Sequence, residues 1–138
     1  MPWQAIVPNF IQVSIFILQN KHGQILLSLR DSQKELPNQW EFPGGKVERH
    51  EGPYQALLRE AREELSIKIK SSEFLMQYFF SYKDLFVHLY VWLVKEFEGN
   101  VYANEGQELR WVDVKEIYDI PYLEGDKKIL DKLSNHAN

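Results

Sequence analysis

Hydrophobic and polar positions change period several times along this chain, and each change marks an element. Residues 10–19 (FIQVSIFILQ) are rich in β-branched and aromatic side chains and predict a strand, closed by the turn-forming Asn20, Lys21, His22 and Gly23. Residues 24–29 predict the returning strand of a hairpin. Residues 31–39 are polar, contain Pro37 and read as a loop, while residues 40–42 are short and extended because Pro43 disfavours helix in the residue before it. Gly44 and Gly45 permit a turn in which backbone can approach a ligand closely. From Pro53, a residue suited to a first helical turn, the apolar period lengthens to that of a helix reaching about Leu65. Tyr54, Leu57, Leu58, Ala61 and Leu65 gather on one arc of it, the stripe a globular helix buries.

Two long strand patterns follow, residues 67–82 with an interruption near Ser71 and Ser72, and residues 85–97, whose alternation suits a half-buried strand. Residues 100–107 form a polar loop, 109–112 a short strand, and 127–133 a closing amphipathic helix. The chain shows no internal repeat, linker or low-complexity tract, so residues 1–138 read as one domain. This order predicts an α/β or α+β architecture, a mixed sheet with helices on its faces.

Composition narrows the partners. With 44% hydrophobic residues in 138, the chain can bury a substantial core. Sixteen basic against twenty acidic residues give a net charge of −4, which offers no general grip on a nucleic-acid backbone and suits a small anionic ligand held through a metal. Cysteine is absent, which excludes disulfides and thiol catalysis and fits a reducing cytoplasm. The longest apolar stretch, residues 11–18, is broken by Gln12 and Ser14 and is too short to span a bilayer. The N-terminus lacks a basic segment followed by a cleavable apolar run, so no signal peptide is expected and the protein reads as cytoplasmic.

The densest chemistry lies in residues 45–67 (GKVERHEGPYQALLREAREELSI), which hold Glu48, Glu51, Glu60, Glu63 and Glu64. On a helix at about 100° per residue, Glu60, Glu63 and Glu64 share an arc of roughly 100°. Like charges at i and i+4, here Glu60 and Glu64, destabilise a helix by a few tenths of a kcal/mol, a cost that a hard divalent cation with oxygen ligands would relieve. A solvated acidic face is the bland alternative. Spacing weighs against it, because Gly45, Glu51, Arg59, Glu60, Glu63 and Glu64 follow the pattern G-x5-E-x7-R-E-U-x-E-E-x-G-U, with U a bulky apolar residue.

In these residues the chain resembles the Nudix hydrolase family, and WEFPGGKVE (residues 40–48) is most similar to its MutT-type nucleoside triphosphate branch. Two positions depart from the pattern: Ala61 stands where a larger aliphatic residue is usual, and Ser66 replaces a glycine just past the helix. If that backbone is left-handed, a non-glycine residue there is strained by roughly 1 kcal/mol. The resemblance implies an α/β/α sandwich with the motif helix on one face and the C-terminal helix on the other. It also implies a Mg²⁺-dependent enzyme, with Mn²⁺ a possible substitute, that cleaves a nucleoside triphosphate to monophosphate and pyrophosphate.

Site residues follow from the same resemblance. Glu60, Glu63 and Glu64 are expected to hold metal, with the Gly44 carbonyl and Glu105 completing the set. Glu105, in NEGQELRW (residues 104–111), resembles a loop glutamate that serves as general base; Glu60 is the competing base, and a plain loop acid is the bland reading. Arg59, four residues before Glu63, suits orienting carboxylates by charge-assisted hydrogen bonds rather than touching substrate. Glu51 is expected to stabilise the turn behind the metal ligands. Arg30, Phe42 and Asp126 are expected at the nucleotide, with Asp126 standing where the branch carries Asn or Asp against a purine edge. An ionised Asp only accepts, whereas Asn also donates, and Asp126 equally suits an N-cap for the last helix. Tyr78, Phe79 and Phe80 offer a stacking wall or, alternatively, core. The four histidines lack metal-ligand spacing and carry no assigned role.

These expectations make the chain a pyrophosphohydrolase of small nucleotides, 8-oxo-dGTP first among them, in nucleotide-pool sanitation and DNA repair. The alternatives are a pyrimidine or other (d)NTP pyrophosphatase, a hydrolase of nucleoside diphosphate conjugates, and a non-catalytic nucleotide-binding domain of the same fold. No stable nucleic-acid, membrane or protein partner is expected.

Overall fold

Strand β1 (Asn9–Leu18) is buried on both faces from Ser14 to Leu18, which is why its apolar run is continuous rather than alternating. Ile15 and Ile17 point into one core cluster and Phe16 and Leu18 into another, so the strand divides the molecule into two hydrophobic layers. The computed structural model describes residues 9–30, 38–82, 84–122 and 126–136. Most of the loop expected at 31–39 lies outside the described residues.

The remaining elements are β2 (Ile25–Leu29), β3 (Trp40–Glu41), β4 (Gly44–Lys46), α1 (Pro53–Leu65), β5 (Lys68–Tyr82), β6 (Leu85–Glu98), β7 (Leu109–Val112), a 3₁₀ turn (Val114–Asp119) and α2 (Lys127–His136). They build two sheets. A mixed four-stranded sheet has the order β4-β1-β6-β5, with β1 and β6 parallel, and an antiparallel three-stranded sheet has the order β3-β2-β7. Helix α1 closes one side with Leu57, Ala61 and Leu65 against Phe16, Leu18 and Leu26, and α2 closes the other with Ile129, Leu130 and Leu133 against the face of Ile15 and Ile17. The expected α/β/α sandwich is present. Full burial of Leu57 or Leu65 contributes roughly 2 kcal/mol each, so α1 is fixed by its packing face more than by propensity.

Several local expectations need correction. The hairpin expected between β1 and β2 reduces to a single bridge, Gln19 to Ile25, after which the strands part into different sheets. Gly44 and Gly45 are not a turn but strand β4, paired antiparallel with Ile15 and Ser14. A Cβ on Gly44, whose φ is 152°, would overlap the Ser14 carbonyl oxygen and the Ile15 Cα, so the close approach is to β1 itself. On α1, Ala56 joins the buried face, while Tyr54 is 45% exposed and leans on Trp92. Strand β5 runs unbroken through Ser71 and Ser72, with register shifts there in place of an interruption. Ser14, fully buried, ties β1 to the helix start by donating to the Pro53 carbonyl at 2.6 Å. Among the described residues no helix is long and apolar enough to cross a membrane.

Candidate active site

Helix α1 lays its acidic face along β4, and the fit needs glycine: a Cβ on Gly45 would overlap the Glu60 carboxylate. Next to it, the Gly44 N–H donates to Glu64 Oε2 at 3.2 Å. The carboxyl groups of Glu60 and Glu64, one turn apart, are near enough for each to shift the other's titration. Burial pushes the Glu64 carboxyl up to about 8, helped by the negative charges of Glu60 and Glu105. Burial likewise raises Glu60, against the opposing pull of Arg59. Two hard carboxylates crowded at low exposure, with a third acid beside them, are a donor set that suits a divalent cation.

Arg59 is the hub behind them. It grips Glu51 with Nε at 3.0 Å and Nη2 at 2.6 Å, and reaches Glu60 at 2.8 Å, Glu63 at 3.0 Å and the Lys46 carbonyl at 2.9 Å. Glu51 in turn accepts the Glu48 N–H at 2.9 Å, closing the turn before the helix, and the Arg59 hydrogen bonds hold its carboxyl below the usual range. Glu63 is 57% exposed at its side chain and is turned toward Arg59 rather than toward Glu64. Among the described residues no three acids converge in ligating geometry, the set of Glu60, Glu64 and Glu105 included.

The loop after β6 carries Glu105 to this group. Asn104 N–H donates to the Glu64 carbonyl at 3.0 Å, and Gln107 bridges the Glu105 N–H to the same carbonyl through contacts of 3.0 and 3.4 Å. Sequence reading named Glu105 but not these two neighbours, and nothing in a polar NEGQ segment marks which of its side chains faces a helix end.

A cleft of about 580 Å³ opens between the two sheets, lined by Arg30, Glu41, Phe42, Gly44, Glu64 and Glu105 among others. Arg30 and Phe42 thus share the cleft with Gly44, Glu64 and Glu105, whereas Asp126, Glu60 and Glu63 are not among its lining residues. Arg30 is joined to Glu41 by a 2.9 Å ion pair, which the sequence reading missed. The signal was the pairing of strands β2 and β3, which sets Ser28 opposite Glu41. Phe42 is largely core, yet borders the cleft. Asp126 is 6% exposed and accepts the Phe42 N–H at 3.2 Å; burial raises its carboxyl to about 7. Tyr78, Phe79 and Phe80 do not line the cleft. Tyr78 is buried near Asp126, whose charge adds to burial in raising the phenol pKa, and Phe80 packs against the core. Phe79 is 66% exposed and stacks on His88.

Known proteins resemble this chain in sequence and in fold. The chain belongs to the NUDIX domain family, whose model matches residues 8–133. A CTP pyrophosphohydrolase of Escherichia coli K12 is 36% identical over 123 residues, covering 89% of this chain and 90% of that protein. An 8-oxo-dGTP diphosphatase of Haemophilus influenzae is 34% identical over 130 residues, 94% of this chain and 96% of its own. In three dimensions the E. coli ORF135 protein superposes with a TM-score of 0.81 at 35% identity, covering 92% of this chain and 90% of that one. The chain is thus a Nudix hydrolase of the MutT-like branch, an enzyme acting on phosphoric anhydride bonds of small nucleotides.

Proposed function

We propose that this chain is a Mg²⁺-dependent nucleoside triphosphate pyrophosphohydrolase, releasing nucleoside monophosphate and pyrophosphate, with 8-oxo-dGTP as the preferred substrate. The supporting observation is a cleft that brings Glu64, Glu105 and Gly44 together with Arg30 and Phe42, with Glu60 one helical turn from Glu64 and shifting its titration. Glu60, Glu64 and Glu105, with the Gly44 carbonyl and Glu63, would hold the metal. When bound, the metal supplies neutralisation of phosphate oxygens and a lowered pKa for attacking water, and Mn²⁺ would serve in its place. Glu105 is the group that accepts the proton of that water, with Glu60 as the competing base. Arg59 and Glu51 touch no substrate; they set the direction of the carboxylates.

Arg30, Phe42 and Asp126 are assigned to the nucleoside. With its carboxyl raised to about 7, Asp126 carries a proton for much of the time near neutrality and then presents both a donor and an acceptor, as an Asn amide does. That pattern complements the O6 and N7–H edge of 8-oxoguanine. It equally complements N3 and the amino group of cytosine, and the 36% identity to the E. coli enzyme named for CTP makes CTP the second reading. The activity on 8-oxo-dGTP would place the enzyme in cytoplasmic nucleotide-pool sanitation, upstream of DNA repair.

The test is Mg²⁺-dependent pyrophosphate release across 8-oxo-dGTP, dGTP, CTP, dCTP and dATP, with nucleoside diphosphate conjugates as controls. A kcat/KM for 8-oxo-dGTP well above the rest is the expected result. Preference for CTP and dCTP would keep the chemistry and replace the substrate. Binding without turnover of any nucleotide would replace hydrolysis by nucleotide binding alone.

A further inference from the structure

We infer that Asn104 is a positioning residue for Glu105, locked in place by Ser66, and that this pair aligns the Glu105 loop with the carboxylates of α1. The inference rests on the role assigned to Glu105 above and adds a residue to which the sequence pattern gives no part.

The C-terminal carbonyls of a helix have no partner within it. In α1 all four are met, and the loop following β6 reaches each of them. Asn104 Nδ2 donates to the Arg62 carbonyl at 3.3 Å and to the Glu63 carbonyl at 2.9 Å, Asn104 N–H to Glu64 at 3.0 Å, and Tyr102 N–H to Leu65 at 3.0 Å. An amide can face either way, and here the Ser66 hydroxyl decides. It donates to Asn104 Oδ1 at 2.9 Å, which leaves Nδ2 facing the carbonyls. Ser66 does this from a left-handed backbone, φ 60° and ψ 31°, a conformation in which glycine carries no penalty. A serine kept at a strained position for one hydrogen bond points to a task beyond ending the helix.

The consequence is geometric. Asn104 and Ser66 are both exposed, so their hydrogen bonds contribute little individually to global stability. Yet the residue after Asn104 is Glu105, which lines the same cleft as Glu64. The turn at 103–106, closed by the Gly106 N–H to the Ala103 carbonyl at 3.1 Å, is short enough that a shift of Asn104 moves Glu105 with it. Asn104 therefore fixes the distance from the loop acid to the helix acids before any ligand arrives.

The core comparison is wild type, Asn104→Ala, Glu105→Gln and the double variant. They are assayed for kcat and KM on 8-oxo-dGTP and CTP, for Mn²⁺ affinity without nucleotide, and for amide hydrogen exchange over residues 102–107. Asn104→Ala is expected to lower kcat by roughly 10- to 100-fold through misplacement, with KM changed less than about threefold. Exchange should quicken at 102–107 alone, Mn²⁺ should bind more weakly, and the double variant should be no slower than Glu105→Gln. Additive losses in the double variant would overturn the inference, as would wild-type kcat in Asn104→Ala beside an impaired Glu105→Gln. Wild-type kcat in Glu105→Gln would remove the role of Glu105 itself, and the inference with it, while leaving metal-dependent hydrolysis by the α1 acids standing. Ser66→Gly guards against misfolding of the alanine variant. It should keep or raise Tm while quickening exchange at 102–107 and lowering kcat, a combination that a merely structural serine does not give. Unchanged exchange and kcat in Ser66→Gly would overturn the lock.

Discussion

Arg59 holds Glu51 through both carboxylate oxygens, with contacts down to 2.6 Å, and so ties the turn after β4 to the middle of α1. The same guanidinium reaches Glu60 and Glu63, so one cation fixes the heading of several acids at once. Glu51→Gln should retain the fold with a loss of about 1–2 kcal/mol, the range for a charge-assisted hydrogen bond partly kept by the amide. Urea melts would measure it. The kcat should fall as well, because Arg59 is freed to draw Glu60 away from Glu64; an unchanged kcat would show that the pair does not orient the metal acids.

Glu64→Gln should lower kcat on the order of 10³ or more by removing a charged ligand at the cation site. Metal-free thermal stability should stay equal or rise, because the crowding of Glu60 and Glu64 is relieved. Near-normal turnover would sink the assignment of Glu64 to metal.

Stability without metal should depend on pH in an unusual direction. The Glu64 carboxyl sits near 8 in the folded chain against 4.5 for an ordinary glutamate, so between these values the folded state binds more protons than the unfolded state. Stability from this group is complete below about 4.5 and is lost as pH climbs toward about 8. Melts in EDTA from pH 5 to 8.5 should show Tm falling. Glu64→Gln should flatten that profile, and added Mg²⁺ should reverse it by stabilising the ionised carboxylates. A profile that rises in EDTA would contradict the crowding.

Gly45→Ala probes shape rather than charge. Its Cβ would overlap the Glu60 carboxylate, so the side chain of Glu60 must move off β4. We expect a folded protein by circular dichroism with weaker Mn²⁺ binding and a kcat reduced by roughly 100-fold, the scale of a misplacement of about 1 Å. Full activity would mean that Glu60 tolerates displacement and does not ligate.

Asp126 separates recognition from stability. Asp126→Ala strips the buried Phe42 N–H of its acceptor and should cost about 1–3 kcal/mol. Asp126→Asn retains an acceptor and a permanent donor. It should leave most of the stability and alter the ratio of kcat/KM for 8-oxo-dGTP against CTP, while removing the pH dependence of that ratio near 7. Equal losses on every nucleotide would assign Asp126 to holding β3 against α2 instead.

Much of the site was legible because its logic is local. Helical spacing puts Glu60 and Glu64 a turn apart and Arg59 a turn from Glu63 whatever else the chain does, and the apolar stripe of Leu57, Ala61 and Leu65 fixes which face is buried. The same spacing set Glu63 within reach of Arg59, and the two do meet at 3.0 Å.

By itself, the sequence determined the order of the longer strands and of the two α-helices, and the acidic helix face with the glycine pair before it, since each depends on residues within a few turns of one another. Tertiary structure alone decided that β1 and β2 part into separate sheets, that Gly44 and Gly45 form a strand against β1, that Glu41 meets Arg30, and that Asn104 grips the end of α1. These are pairings between distant segments. A run such as FIQVSIFIL specifies that it will be buried, but the choice of strand or helix that buries it is made by the whole fold competing for the same backbone hydrogen bonds.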